Sequence, residues 1–268
     1  MTQFELDFRP LDCSDGAAQA AFVPWDSEAI GASVWELRLS DSTARTTVAI
    51  HDWLLGLDRS ADCLVGAKVD QEHVSFLAAL AHNGFYPVET TLRIEGDLAR
   101  VSSIDTAPPI PLRLRTATQA DMGAVSRIAG SAFWADRFHL DPNVPNSAAD
   151  MRYVTWVGRA FDDGEQLFVY ERTDVGQVVG FYLVRPVTDS LVDLTLVAID
   201  PTLAGLRIGS ALYRTVMREC ARMGFSRART TIVARNLPAL NIYSRLGFSF
   251  NEVLTSMHWF APATERNR

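Results

Sequence analysis

Cysteine is scarce in this 268-residue chain: Cys13, Cys63 and Cys220 are widely spaced and odd in number. They supply no disulfide framework and no metal-ligand spacing, so no metal is expected and a reducing cytoplasm is the expected compartment. Long apolar runs are missing too, and none approaches the ~20 residues that cross a bilayer, so no membrane is expected as a partner. The opening MTQFELDFRP has neither a basic start nor an apolar core, so no secretory leader is expected. Lysine is nearly absent: Lys68 stands alone, and every other cationic side chain of the Lys/Arg pair is arginine. The formal net charge of −7 argues against nucleic acid, whose phosphates call for a clustered positive field. Even so, many arginines fall between Arg207 and Arg245, which suits that stretch to an anionic ligand.

What is present is ordinary globular composition, 48% hydrophobic and 21% charged, in a chain long enough for one large or two modest domains. The stretch ARVSSIDTAPPIP, residues 99 to 111, is small, polar and proline-rich, and reads as a linker. It divides the chain into 1–105 and 106–268. Before it, Phe4–Phe8 alternates like a strand. Ser33–Leu39, Cys63–Val69 and Val88–Ile94 have strand character, and Val48–Leu57 and His73–Leu80 read as helices. Pro24 and Trp25 sit in a polar stretch read as loop. After the linker come strand Leu112–Thr116, helix Gln119–Gly130 and a helix from about Ser147 to Phe161, with Met151, Val154, Val157 and Phe161 at helical spacing. Strands at Gln166–Glu171, Val178–Val187 and Leu191–Ile199 follow. Helix Ile208–Met223 carries Ile208, Leu212, Val216 and Cys220 on one stripe. Strand Ala228–Val233, helix Leu237–Leu246 and a strand around Glu252–Phe260 end the list. The class is α/β or α+β, a mixed sheet flanked by helices.

Two stretches echo each other: AHNGFYPVETTLRI around Gly84-Phe85 and SRLGFSFNEVLTSM around Gly247-Phe248. In each a helix ends at glycine, the residue that adopts a left-handed cap without strain. The echo alone fits chance as well as duplication.

The chemistry concentrates in LVDLTLVAIDPTLAGLRIGSALYR, residues 191 to 214. A strand runs into Pro201, then a loop with Gly205 and Gly209, then a long helix. Small residues at a helix start let backbone N–H groups face an anion, with the helix dipole adding positive potential, and the result is a diphosphate cradle. A tight turn fits the same pattern. The spacing matches neither GxGxxG nor GxxxxGK[ST], so dinucleotide and P-loop readings fail. The segment resembles the CoA-binding motif of the GNAT acetyltransferase superfamily. Ile199-Asp200-Pro201 stands for its Val-x-Pro and Ala204 to Gly209 for its loop, with Ala204 in place of Gln or Arg and Arg207 in place of the first glycine. A second stretch, NLPALNIYSRLGF, is similar to that superfamily's Asn-x-x-Ala-x-x-x-Tyr-x-x-x-Gly-Phe at Asn236, Ala239, Tyr243, Gly247 and Phe248.

The resemblance implies a complete C-terminal GNAT fold whose sheet splays apart, with acetyl-CoA as acyl donor lying in the gap. It implies backbone contacts from Val197 and Ile199 to the pantetheine arm. Gly205, Arg207, Ile208, Gly209 and Ser210 would hold the pyrophosphate, and Asn236 and Arg245 would steady the cofactor. Tyr243 would be the general acid, since a phenol of pKa near ~10 stays protonated at neutral pH and can donate to a leaving thiolate. A buried core tyrosine is the plain alternative. Asp193 stands where several members carry a base; His139, Asp141 and His258 are weaker candidates. The whole chain also resembles the TDP-fucosamine (TDP-4-amino-4,6-dideoxygalactose) acetyltransferases, through Trp25-Asp26 with Gly31 and a Phe138-x-x-Asp141-Pro142 lid. That likeness implies a partial, degenerate GNAT-like domain ahead of the catalytic one. Counting back from each glycine, Leu80 matches Tyr243 and His73 matches Asn236, so the N-terminal copy is expected to lack a CoA site. The acceptor is then a small-molecule amine, the amino group of a nucleotide-linked amino sugar, its diphosphate met by Arg137, Arg152 or Arg159. Another amine (antibiotic, polyamine, amino acid or protein amino group) and a non-catalytic acyl-CoA-binding module are the alternatives, and a homodimer is left open.

Overall fold

The computed structural model describes residues 6–12, 14–102, 110–203 and 208–264. The linker boundary near residue 106, and the loop residues Ala204, Gly205, Leu206 and Arg207, lie outside the described residues. The chain divides into two compact units, neither contiguous in sequence. The first is Met1–Thr91, Asp136–Arg152 and Val253–Arg268, and the second is Leu92–Ala135 and Tyr153–Glu252.

The first unit holds β1 (Arg9–Pro10), β2 (Ala18–Phe22), α1 (Pro24–Ile30), β3 (Ser33–Leu39), α2 (Ala44–Gly56), β4 (Cys63–Asp70) and α3 (Val74–His82). It also takes the start of β5 (Tyr86–Asp97) and most of β11 (Ser249–Ala261). β1, β2 and β3 pair antiparallel in succession. β3 and β4 are parallel from Ser33↔Cys63 to Leu37↔Ala67, and β11 joins β4 antiparallel from Leu254↔Asp70 to Ala261↔Cys63. Leu37, Val65, Ala67, Ile50 and Leu80 form its core on the side of α2 and α3. The stretch Pro24-Trp25, read from sequence as loop, is helix α1. The reason is local: Pro24 fixes φ at the first helical position, and Gly31 ends the helix at φ 76°. Phe4–Phe8 does not form a strand over its described part; the short β1 begins at Arg9.

The second unit contains the end of β5, α4 (Leu98–Ser102), β6 (Leu112–Thr116), α5 (Met122–Ala132), most of α6 (Asn146–Asp162), β7 (Gln166–Arg172), β8 (Gln177–Pro186), β9 (Leu191–Ile199), α7 (Gly209–Arg222), β10 (Arg227–Val233) and α8 (Leu237–Arg245). Its strands run in the order β10-β9-β8-β7-β6. β6 to β9 pair antiparallel, and β10 is parallel to β9. The apolar stripe read on α7 is buried as expected, with Leu212, Val216 and Cys220 packed on Val192, Leu194 and Ala228. Val125, Ile128 and Val157 of α5 and α6 cover the other face, against Phe181 and Leu196.

The echo between the halves is structural. Phe85 N donates to Leu80 O at 3.1 Å, and Phe248 N donates to Tyr243 O at 3.1 Å. Gly84 N and Gly247 N each donate to a carbonyl three residues back at 3.0 Å, with φ of 84° and 81°. His73 and Asn236 are the N-caps of α3 and α8, at φ −89°, ψ 63° and φ −82°, ψ 64°. The counting that matched Leu80 to Tyr243 and His73 to Asn236 therefore matches residues of equal backbone role. The element order β3-α2-β4-α3-β5 repeats as β9-α7-β10-α8-β11.

Candidate active site

The site is best built from the place where β9 and β10 separate. Their ladder comprises three pairs, Arg227↔Leu191, Ala228↔Val192 and Arg229↔Asp193. At the next rung the Thr230 hydroxyl donates to Leu194 O at 2.9 Å, so a side chain bridges the strands where the backbone ladder stops. Beyond it β9 continues for five residues, Thr195–Ile199, of which Leu196–Ile199 pair with β8 on its other edge. Backbone amides and carbonyls on such an edge need partners, and a ligand carrying amides of its own can supply them. By contrast, β3 and β4 stay paired over five rungs.

The same stretch is bent. The register with β8 jumps between Leu183↔Leu196 and Val184↔Leu194, which leaves Thr195 as the extra residue of a β-bulge. Its Oγ1 is buried with no hydrogen-bond partner among the described residues. A bulge re-aims side chains: Leu194 packs with the α7 core, while Leu196 packs with the α5 core.

Past β9, Asp200 is almost fully buried and ties down the loop start. It accepts from Arg127 Nη1 at 2.8 Å and from Thr202 Oγ1 at 2.7 Å. Burial works to raise its carboxyl, but the bonds from Thr202 and Arg127 win and hold it below the usual range. The loop leads to α7, whose N-cap Ile208 supplies no side-chain cap. The first-turn amides at Gly209 and Ser210 are thus an anion-ready helix start. At α2, the corresponding helix of the first unit, the Thr43 hydroxyl accepts from Thr46 N. Gly209 sits close against α8: a Cβ there would lie 3.0 Å from Ile242 Cδ1, the tip of that side chain. The two motifs, 33 residues apart (242 − 209), therefore touch.

Tyr243 lies on α8, buried at 2% exposure. Its ring meets Tyr213 and Phe248 edge-on, each with centroids 4.9 Å apart, and Tyr213 continues to Tyr182 at 5.7 Å. Gly96 leaves the room that the Phe248 ring needs, since a Cβ there would fall 2.5 Å from it. Burial pushes the Tyr243 phenol well above its ordinary range, with Tyr213 adding to the rise and the Thr230 side chain opposing it. Asp193 is close enough for its charge to act on Tyr243, and its Oδ2 accepts from Arg229 Nε at 3.1 Å.

Among the other expected residues, Val197 and Ile199 are half-buried on the free edge of β9. Asn236 caps α8 through Oδ1, which accepts from Ala239 N at 3.2 Å, and Arg245 is exposed in the last turn of that helix. Ser210 Oγ accepts from Arg214 at 3.2 Å. Arg137, Phe138, His139, Asp141 and Arg152 belong to the first unit. Arg137 pairs with Glu36 at 3.1 Å and Arg152 with Asp26 at 2.7 Å. His139 bonds Asp136 and Asp150, and His258 Nδ1 meets Asp141 Oδ2 at 2.6 Å. A cleft of about 410 Å³ in the first unit, lined by Trp35, Trp53 and Phe22 among others, contains none of the motif residues. Sequence reasoning missed Thr195, Asp200 and Thr230, because a threonine or an aspartate at a strand end carries no signal of its own.

Residues 132–248 match the family model described as "Acetyltransferase (GNAT) family". That stretch, under half of the chain, is similar to the acetyltransferase domain of the GNAT family. No curated protein matches it. Among solved structures, a GCN5-related N-acetyltransferase from Sphaerobacter thermophilus is similar at 17% identity and TM-score 0.62, covering 94% of this chain and 80% of that one. A functionally unknown conserved protein from Staphylococcus epidermidis ATCC 12228 is similar at 10% identity and TM-score 0.62, covering 95% and 94%. A tandem GNAT protein from the clavulanic acid biosynthesis pathway is similar at 15% identity and TM-score 0.59, covering 88% and 77%. At these identities the likeness is one of fold. Among the described residues, no helix is long and apolar enough to cross a membrane.

Proposed function

We propose that the second unit transfers the acetyl group of acetyl-CoA to a primary amine by direct attack. The observation that carries this reading is the parting of β9 from β10 after the Asp193–Arg229 rung, with the uncapped start of α7 at the far end of the free edge. Backbone groups of Val197 and Ile199 would hold the pantetheine arm. Ile208, Gly209 and Ser210 would hold the pyrophosphate, with Gly205 and Arg207 completing the loop, and Asn236 and Arg245 would steady the cofactor. When bound, acetyl-CoA supplies a thioester whose acyl carbon is open to a neutral amine. Asp193 takes the proton of the incoming ammonium, directly or through water. Tyr243, dry and protonated, donates to the departing sulfur. Tyr243→Phe is expected to lower kcat roughly 10²-fold with the fold intact; unchanged turnover would overturn the role.

The repeat supports reading residues 1–105 as a degenerate copy of the catalytic domain at 106–268. Its longer, five-rung β3–β4 ladder and the Thr43 cap of α2 set it apart from the two features proposed to serve CoA. For the acceptor, the first reading is a nucleotide-linked amino sugar. One observation favours another small amine: Arg137 and Arg152 are already held by Glu36 and Asp26, so a diphosphate would compete with internal carboxylates. Thiol release from acetyl-CoA with TDP-4-amino-4,6-dideoxygalactose, an aminoglycoside, a polyamine and a peptide side by side decides between them. Acetyl-CoA binding with no thiol release from any of them would indicate a binding module instead.

A further inference from the structure

Away from the motifs, the first unit brings three aromatic rings to one cleft. Phe22 of β2 and Trp35 of β3 stand directly opposite across an antiparallel pair, so both side chains leave the sheet on the same face. Trp53 of α2 packs beside them in the core on that face. The Phe22 and Trp35 centroids are 5.3 Å apart at 67°, and those of Trp35 and Trp53 are 5.8 Å apart at 83°. All three rings line the cleft of about 410 Å³, and Phe22 is exposed in it. Ala20, the next residue of β2 on that face, also lines the cleft and is too small to fill it. The charges come from residues 7 to 12. Asp7 Oδ2 accepts from Arg9 Nε at 3.0 Å and from Nη2 at 2.8 Å, so these two charges cancel. The exposed Asp12 carboxylate has no hydrogen bond or ion pair among the described residues.

We propose that this cleft is a binding site for a small organic cation whose charge lies on alkylated nitrogen, a quaternary ammonium being the simplest case. Aromatic faces attract such a cation through the ring quadrupole. A quaternary nitrogen also has no N–H group to leave unsatisfied when it enters an apolar corner. Rings set at steep angles offer faces in different directions, which suits a compact group with several sides. A planar heterocycle would be better served by parallel rings. With Asp7 and Arg9 paired, Asp12 leaves the lining one negative charge, which repels an anion and draws in a cation. The size agrees, since about 410 Å³ falls within the ~300–1,000 Å³ of small-molecule sites. The ligand is held and no bond is made or broken. The site stands on the first unit's own residues and does not depend on the reading of the second unit as an acetyltransferase.

Calorimetry on the full chain tests this with choline and its neutral isostere 3,3-dimethylbutan-1-ol, which keeps the shape and lacks the charge. Choline is expected to bind at one saturable site, and the isostere at least about tenfold more weakly. Trp35→Leu and Phe22→Leu should each weaken choline binding by about tenfold. Asp12→Asn should weaken it by about threefold. Equal binding of choline and the isostere makes the cleft an apolar pocket blind to charge and overturns the proposal, as does no binding of choline. Indole binding more tightly than choline marks a site for planar rings and overturns it too. Choline binding that survives all three substitutions lies elsewhere on the protein, with the same consequence. If Trp35→Leu does not fold by circular dichroism, the exposed positions Phe22 and Asp12 carry the comparison.

Discussion

Asp193 and Arg229 face each other on the last backbone rung between β9 and β10, Oδ2 to Nε at 3.1 Å, and both side chains keep about a third of their surface exposed (30% and 35%). The pair is therefore wet, and its guanidinium orients a carboxylate at the mouth of the fork without locking it away. Asp193→Asn keeps the shape and removes the proton acceptor. It is expected to cut kcat by about 10–10²-fold at pH 7, with acetyl-CoA affinity by calorimetry unchanged. Loss of affinity in step with kcat would mark the pair as a strut for the strands.

The contact between Gly209 and Ile242 gives a second expectation. Gly209→Val forces a branched side chain against Ile242, with strain of about 1–3 kcal/mol, and should raise the KM for acetyl-CoA by about tenfold or more. Shortening the neighbour makes room, so Gly209→Val with Ile242→Ala should recover part of the loss. If the pair is no better than the single variant, packing at the helix start is not what Gly209 serves.

Stability should depend on acid through Asp121. Arg115 holds this nearly buried carboxylate with both terminal nitrogens, at 2.7 and 2.8 Å, while Thr118 donates from its amide and hydroxyl at 2.8 Å. The Arg115 bond comes first among the causes that hold its carboxyl far below the usual range. A depressed carboxylate stabilises above the unfolded pKa, near ~3.9, and its contribution fades as pH falls from there toward the native value. Asp121→Asn should cost about 1.5–3 kcal/mol at neutral pH. Urea melts should show that cost flat down to about pH 4 and then shrinking. A cost independent of pH would contradict this account.

How much of this was legible beforehand depended on what kind of atom carried the message. The second motif is made of side-chain identities at fixed spacing, so Asn236, Tyr243 and Gly247 could be read directly. The helix stripe of α7 was legible because burial repeats at 3.6 residues. The fork was not, since a ladder that stops after Arg229 is a property of backbone pairing. The partners of the lid arginines were hidden for a related reason. Arg137 and Arg152 read as free cations, and only the fold brings Glu36 and Asp26 to them from more than a hundred residues away. Helix α1 was lost because a polar stretch with proline reads as a turn unless the buried partner of Asp26 is known.

The strand pairing of β4 with β11 sets an order of events during synthesis. Residues 63 to 70 are made early, yet the strand they pair with, residues 254 to 261, comes some 190 residues later. At elongation rates of about 5–20 residues per second, that edge of β4 waits for roughly ten seconds or more without its mate. An open strand edge is a template for pairing with another chain. Lys68 is exposed on β4, and a lysine on a strand edge is one of the features that blunt such pairing.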